Sequence, residues 1–246
     1  MTPVAGGHAT PAGSDPPSPF HSNLLRLPAE HAATLREGAA WVNYPRNKVL
    51  MMDGEPAKHV LLLARGVVKI TAESAAGTPK LLAFRGRGQL VGEFGCIDGS
   101  ARSGTVRVIK PVGAWRISRD RFLHNLRADA PLCFSVLASV VARVRESDES
   151  VGEYGTYSSG DRVIRQLARL AVACLDEEGA ATVAVPVGQV ELAGSAGVVR
   201  ETVSRTIKIL AERGIAKARR GSIDVLDVNA LVRSAQGTVP RDTTDP

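Results

Sequence analysis

Two groups of residues have types and spacing suited to ligand chemistry. The first begins at Gly92-Glu93 and continues nine residues after Glu93 with Arg102-Ser103-Gly104. An arginine can neutralise a phosphate, and small residues beside it leave backbone N–H groups open to phosphate oxygens. A carboxylate in the same pocket can accept a hydrogen bond from a sugar hydroxyl. The group therefore suits a nucleotide with one phosphate and a free 2′-hydroxyl, although a buried ion pair between Glu93 and Arg102 explains it equally well.

The second group lies near the start of a predicted helix, where Arg200, Glu201 and Arg205 would project from one end. Arginine can bind guanine O6 and N7, glutamate can accept from cytosine N4, and Thr202 and Ser204 could reach phosphate oxygens. Residues 200–220 carry seven basic and two acidic side chains, so about five of the six surplus positive charges lie there. A solvated helix with surface ion pairs is the alternative, but this pattern favours DNA binding.

Short apolar runs separated by glycine position the first group. They extend from about Tyr44 to Ile117, and the predicted strands are residues 60–64, 67–71, 81–84, 90–91, 105–109 and 114–117. Such spacing is typical of an antiparallel sandwich or barrel. Glu93 and Arg102 would then lie in a loop or short turn between strands, and 75–77 would form another turn.

A long helix is predicted after Asp129 and Pro131, which supply a cap and a first-turn proline. Its apolar residues recur every three or four positions, and they are Leu137, Val140, Val141, Val144, Val151 and Tyr154. A stripe this narrow favours a helix–helix seam, which Ser147 and Asp148 interrupt. Residues 158–160 should break the helix, with a new one starting at Asp161, and this break is the predicted domain boundary.

The C-terminal region has the pattern of a helix-turn-helix. Residues 189–193 form a short predicted helix, 194–198 a turn, and Arg200 opens a second helix. A predicted hairpin over 215–226 adds a wing, and Asp227 can cap a final helix.

Composition limits the class of protein. The chain has 246 residues, a net charge of +6 and 44% hydrophobic residues, which favours two folded domains. Three scattered cysteines (Cys96, Cys133 and Cys174) fit neither a disulfide framework nor a four-ligand zinc site. There is no Ser/His/Asp grouping, no P-loop, no charged signal-peptide start and no apolar run of the ~20 residues that a membrane helix needs. We expect a cytoplasmic protein that is not an enzyme, with flexible tails at 1–20 and 236–246.

With these motifs in view, residues 40 to 230 resemble the Crp–Fnr family of bacterial transcription regulators. The resemblance rests on the glycine-punctuated β-roll, the GEFG…ARSG cassette, the long helix and QVELA…GVVRETVSRTIKIL. It implies an α+β fold with a jelly-roll-like cyclic-nucleotide-binding β-roll (21–128), a dimerisation helix (129–158) and a winged helix-turn-helix (159–235). It also implies a homodimer that binds palindromic DNA with TGTGA-type half-sites and meets RNA polymerase.

The resemblance also assigns roles to residues. Glu93 matches the ribose-binding glutamate, Arg102 the phosphate-binding arginine and Ser103 its neighbouring serine, and Ser147 matches the hydroxyl offered to adenine. Gly92, directly before Glu93, completes the predicted ligand-binding set. The expected ligand is cAMP, or else cGMP, and no covalent cofactor or metal is expected. Arg200, Glu201 and Arg205 match the base-reading positions of the family's recognition helix. Thr202, Ser204 and Lys208 complete the predicted DNA-binding set.

Asp148 departs from the family pattern, because the cyclic-AMP activator has a second hydroxyl there. One alternative is therefore a ligand-independent regulator whose roll serves as a dimerisation scaffold, and another is a nucleotide-binding module that governs an enzyme or transporter. An iron–sulfur centre is disfavoured because no cysteine precedes Cys96, and haem because His59 is the roll's only histidine. For Cys96, we favour the interpretation of a packed thiol over that of a redox sensor.

Overall fold

An antiparallel sheet dominates the N-terminal half. The computed structural model describes residues 26–73, 79–175 and 180–237. The sheet has the order β1-β6-β3-β4, with β2 paired to β6 and β5 paired to β3. The elements of this half are α1 (Ala29–Arg36), β1 (Ala40–Tyr44), β2 (Val49–Met51), β3 (His59–Glu73), β4 (Pro79–Arg85), β5 (Leu90–Val91), α2 (Glu93–Asp98), β6 (Thr105–Ser118) and α3 (Arg119–Ala128).

Two of the strands are longer than the sequence predicts. Residues 60–64 and 67–71 belong to the single strand β3, and 105–109 and 114–117 belong to β6. Gly66 produces a bulge and not a turn: its φ is +80°, and a Cβ there would lie 2.1 Å from the Pro111 carbonyl oxygen. Pairing with β6 resumes on both sides after register shifts, so the glycine bends the sheet without ending the strand.

The segment that starts at Glu93 is helical, contrary to the predicted loop. Gly92 precedes α2 with φ +84°, and a Cβ on it would lie 2.5 Å from an Arg102 guanidinium nitrogen. Only glycine allows both this backbone conformation and this close approach. The helix therefore begins at Glu93, directly after a glycine that contacts Arg102.

The long predicted helix is present as α4 (Ala130–Thr156), capped by Asp129, whose side chain accepts from Leu132 N. The next helix, α5 (Ser159–Ala173), begins two residues before the predicted Asp161, because the Ser158 hydroxyl accepts from Asp161 N and caps it. The break between the two helices therefore lies at Tyr157-Ser158, and Gly160 is inside α5.

The C-terminal half contains the predicted helix-turn-helix and wing. The elements are β7 (Val183–Val185), α6 (Gln189–Ala196), α7 (Arg200–Glu212), β8 (Ala216–Arg219), β9 (Ser222–Val225) and α8 (Val228–Gln236). Gly194 lies in α6, and the turn is at Gly197, whose φ is +61°. The strands β7, β9 and β8 form a small antiparallel sheet, and Asp227 caps α8 as predicted. The predicted α+β fold is confirmed.

The two halves share a hydrophobic core. Leu81 and Phe84 of β4 belong to the same buried cluster as Leu167 of α5 and Leu192 of α6. Lys69 of β3 also pairs with Glu191 of α6 at 2.7 Å. The helix-turn-helix therefore packs directly against the roll.

The predicted tails and the predicted 75–77 turn fall largely or wholly outside the described residues. Within the described ranges, no single helix has both the length and the apolarity to cross a membrane, although α3 and α4 pass that test as a bent pair.

Candidate nucleotide-binding cavity and nucleic-acid interface

A cavity of about 720 Å³ lies between β4, α2 and the helices α4 and α5. All five sequence-predicted ligand residues line it: Gly92, Glu93, Arg102, Ser103 and Ser147. They come from the start of α2, the segment before β6 and the middle of α4. The tertiary structure therefore brings together residues that are up to 55 positions apart.

Glu93 is held by a residue that sequence reasoning missed. Its side chain is 1% exposed, and its Oε1 accepts from Nη1 of Arg143 on α4. The other terminal nitrogen of Arg143 donates to the Leu90 carbonyl at 2.8 Å. The alternative of a Glu93–Arg102 ion pair is therefore wrong. The helical spacing of Arg143 and Ser147 was the available signal, because residues i and i+4 share a helix face.

Arg102 is positioned by backbone carbonyl groups. Its Nη1 donates to Gly92 O and its Nη2 to His59 O, both at 2.6 Å. These charge-assisted bonds hold a buried guanidinium at the cavity wall beside Ser103. No carboxylate among the described residues forms an ion pair with Arg102, so its positive charge remains available to a phosphate.

The cavity wall contains buried polar atoms that lack protein partners. Among the described residues, Glu93 Oε2 and Arg143 Nε have no hydrogen-bond partner. A buried polar atom without a partner costs about 1–3 kcal/mol, and more when it is charged. A ligand with a hydroxyl and an acceptor group would relieve that cost.

Arg85, at the end of β4, is a second missed residue. It lines the cavity, is 6% exposed, and lies 3.6 Å from Glu146 Oε2 on α4. Burial, with the nearby charge of Arg143, lowers the pKa of Arg85 to about 10. The side chain therefore remains charged at neutral pH. An arginine just before Gly86 gave no sign in the sequence of being buried.

One face of α4 is exposed along the predicted stripe. Leu137, Val144 and Val151 are 52%, 53% and 68% exposed, and Tyr154 and Val141 are also exposed. Phe134, which the prediction omitted, extends the stripe by one step and is exposed as well. Asp148 lies in the same row of side chains and is itself exposed.

Two further side chains of the roll with reactive groups, Cys96 and His59, are at least partly buried. Cys96 is buried, its Sγ donates to Ala57 O, and burial raises the pKa of its thiol. This favours the packed-thiol interpretation, because a raised pKa disfavours the reactive thiolate. Burial, with the charges of Arg116 and Arg102, lowers the pKa of His59 to about 4. Within the described ranges, no group of His, Cys, Asp and Glu could hold a metal ion.

The predicted DNA-reading residues all lie on α7. Arg200, Glu201, Ser204, Arg205 and Lys208 are exposed, and Thr202 is half-buried. The opposite face of α7 is buried through Val203, Ile207 and Leu210. None of the exposed charged residues of this set forms an ion pair within the described part of the chain. The helix therefore presents unneutralised donors and one acceptor to solvent.

The end of α4 contacts the turn that leads into α7. Arg162 of α5 donates to Ala196 O and Gly197 O, and its guanidinium stacks on Tyr154 of α4. Nearby, buried Glu153 of α4 accepts from Arg165 and Arg169 of α5. These contacts connect α4, the predicted dimerisation helix, to the helix-turn-helix across the break between α4 and α5.

Two family models match separate segments of the chain. Residues 41–129 match the cyclic nucleotide-binding domain, and residues 161–234 match the Crp-like helix-turn-helix domain. The first range contains the Glu93–Arg102 cassette, and the second contains all of α7.

Curated relatives cover most of the chain. A "CRP-like cAMP-activated global transcriptional regulator" of Mycobacterium tuberculosis is 29% identical over 79% of this chain and 88% of the relative. The "Cyclic AMP receptor protein" of Thermus thermophilus is 27% identical over 79% of this chain and 87% of the relative.

Solved structures share the fold. A CRP/FNR-family transcriptional regulator from Thermus thermophilus has a TM-score of 0.64 at 22% identity, covering 81% of this chain and 100% of that one. The c-di-GMP responsive global regulator CLP of Xanthomonas campestris has a TM-score of 0.63 at 24% identity, covering 80% of this chain and 99% of that one.

Proposed function

The chain belongs to the Crp–Fnr family of DNA-binding transcription regulators, and we propose that a cyclic nucleotide in its roll cavity controls how tightly a homodimer binds DNA. The observation that carries the proposal is the cavity itself. It joins the buried Glu93, with an unsatisfied carboxylate oxygen, to Arg102 and Ser103, and α4 forms its far wall.

The chemistry of the wall suits a cyclic nucleotide. Arg102 and Ser103 would bind the cyclic phosphate, and Glu93 Oε2 would accept from the ribose 2′-hydroxyl. Ser147 of α4 would contact the base. The names of both curated relatives mention cyclic AMP, so cAMP is the first ligand to test.

The exposed stripe on α4 supports the homodimer. Phe134, Leu137, Val141, Val144 and Val151 follow the alternating three- and four-residue spacing of a coiled-coil seam. A second copy of α4 would cover these side chains. Asp148 falls in the same row, where a charged residue would weaken the seam and make the dimer sensitive to the ligand beside it.

The ligand would act through α4. A nucleotide that contacts Ser147 and Arg143 would stabilise one arrangement of the two paired helices. The contacts of Tyr154, Arg162 and Gly197 would transmit that arrangement to the turn before α7. Such control requires tighter ligand binding to the DNA-competent arrangement than to the other.

On DNA, two-fold symmetry would place the two α7 helices in successive major grooves, ~34 Å apart. Arg200, Glu201 and Arg205 would read a TGTGA-type half-site, with Thr202, Ser204 and Lys208 on the backbone. Such a protein would act in the cytoplasm, where it meets RNA polymerase at promoters, and would not be an enzyme.

The test measures binding of the full chain to a labelled inverted-repeat duplex by fluorescence anisotropy, with and without cAMP or cGMP. We expect a nucleotide to raise the affinity for this duplex, with a smaller effect on a scrambled duplex. Ultracentrifugation on the same samples should show a dimer. Arg102→Ala should lose the nucleotide response, while the exposed-arginine control Arg87→Ala should keep it.

A specific observation also supports a second candidate, the ligand-independent regulator. Asp148 stands where the cyclic-AMP activator has a hydroxyl, and it is exposed on α4. Equal operator affinity with and without either nucleotide would favour this candidate and contradict the proposed control.

A further inference from the structure

Arg85 is a charged side chain that lines the cavity but has no role in the ligand contacts proposed above. It is 6% exposed, and its Nη1 donates to Phe84 O, the carbonyl of the preceding residue, at 2.9 Å. Its Nη2 forms a long ion pair with Glu146 Oε2, at 3.6 Å. Its Nε has no acceptor among the described residues. A buried guanidinium has five N–H donors, so this one is left with donor capacity at the cavity wall.

Of the other four arginines that line the cavity, Arg145 is exposed, and Arg102, Arg143 and Arg169 each make at least two hydrogen bonds to protein acceptors. Arg102 donates to two backbone carbonyls, and Arg143 donates to Glu93 and to Leu90 O. Arg85 differs from both because only one of its nitrogens makes a hydrogen bond to the protein. Among the buried arginines of the cavity wall, Arg85 therefore keeps the most donor capacity for a pair of ligand acceptors.

In the proposed orientation of the nucleotide, Arg85 would lie at the base end. Its nearest carboxylate, that of Glu146, directly precedes Ser147, the proposed base contact on α4. Arg102 and Glu93 would then lie at the phosphate and ribose ends. This placement rests on the proposed function, which fixes the direction of the nucleotide in the cavity.

Arginine distinguishes the two purines through its donors. Guanine presents O6 and N7, two acceptors that a guanidinium can bind together, whereas adenine presents a donor at N6 beside N7. Glu146 can accept from an amino group of either base, so the discrimination lies with Arg85.

We propose that Arg85 is the base-selecting residue of this cavity and that it favours a guanine cyclic nucleotide over the adenine one. The bound guanine would accept from Arg85 through O6 and N7, while Glu93 and Arg102 hold the ribose and the phosphate. The preference would distinguish this chain from the relatives named for cyclic AMP.

The test is calorimetric titration of the full chain with cGMP and with cAMP. We expect the wild type to bind cGMP about tenfold more tightly, the size of one good bidentate contact. Arg85→Gln should reverse this preference, because glutamine pairs with adenine N6 and N7. Arg85→Leu should weaken cGMP by about tenfold and leave cAMP within about twofold. Arg87→Leu, a change of an exposed arginine on the same segment, should alter neither affinity.

The outcomes separate this inference from the proposed function. A wild-type preference for cAMP, or a cGMP-to-cAMP ratio that is the same in wild type and Arg85→Gln, overturns the role of Arg85 while leaving a nucleotide-binding site. Absence of binding of either nucleotide at millimolar concentration contradicts the proposed function itself. Thermal unfolding of each variant without ligand verifies that the compared proteins are folded.

Discussion

The cavity and the recognition helix use the same types of side chain in opposite environments. In the cavity wall, Glu93 and Arg143 bind each other, and one buried polar atom of each has no partner among the described residues. On α7, Arg200, Glu201 and Arg205 are exposed. The chemical groups are similar, but water solvates only the second set.

The difference separates two ways of building a binding surface. A buried charge must be satisfied by the protein or by its ligand, so cavity residues carry both folding and binding energy. An exposed charge is hydrated in the free protein and has little influence on folding. Substitutions in the cavity should therefore alter stability and binding together, whereas those on α7 should alter DNA binding alone.

The largest effect is expected from Glu93→Ala. This change leaves the Arg143 guanidinium buried without its carboxylate, which should lower the free energy of unfolding by about 3–5 kcal/mol. The matched change on the recognition helix, Glu201→Ala, should alter it by less than about 0.5 kcal/mol. Denaturant unfolding of both variants measures the contrast.

Equal losses of stability in these two variants would remove the proposed distinction between the regions. Glu93→Gln keeps the shape of the side chain and removes the charge. It should lie between wild type and Glu93→Ala, because the amide oxygen can still accept from Arg143.

An intermediate effect is expected from Arg205→Ala. The change should cost about 1–3 kcal/mol of operator binding and relax one guanine position, with unchanged unfolding. Binding to a set of duplexes altered one base pair at a time measures the loss of operator affinity and the change in base preference.

Lys208→Ala provides the control for this prediction. Loss of a phosphate contact should weaken all duplexes alike and lower the salt slope by about one unit. If Arg205→Ala instead behaves in this uniform way, Arg205 contacts the backbone and does not read a base.

The smallest effect is expected where the two regions meet. Lys69 of the roll and Glu191 of α6 form a partly exposed ion pair at 2.7 Å. A double-mutant cycle with Lys69→Met and Glu191→Gln should give a coupling energy of about 0.2–1 kcal/mol, decreasing with added salt. Coupling that is insensitive to salt would show that the pair is shielded from solvent and belongs with the cavity group.

Local patterns predicted much of the fold because they depend on neighbouring residues. Asp129 and Asp227 cap helices as expected, and α7 buries Val203, Ile207 and Leu210 on one face. The errors occurred where distant contacts override local signals. Gly66 bends a continuous strand because β6 pairs on both sides of it, although glycine between apolar runs usually indicates a turn.

The sequence by itself determined the helix-turn-helix and the long helix, and it predicted Gly92, Glu93, Arg102 and Ser103 as ligand residues, since each of these depends on periodicity, caps or a local motif. Ser147 was predicted only from the family resemblance. Only the tertiary structure decided what these residues contact. It paired Glu93 with Arg143 instead of Arg102, and it buried Arg85 beside Glu146. The physical reason is that burial and partner choice depend on how β4, α2 and α4 pack together, and no local pattern records that packing.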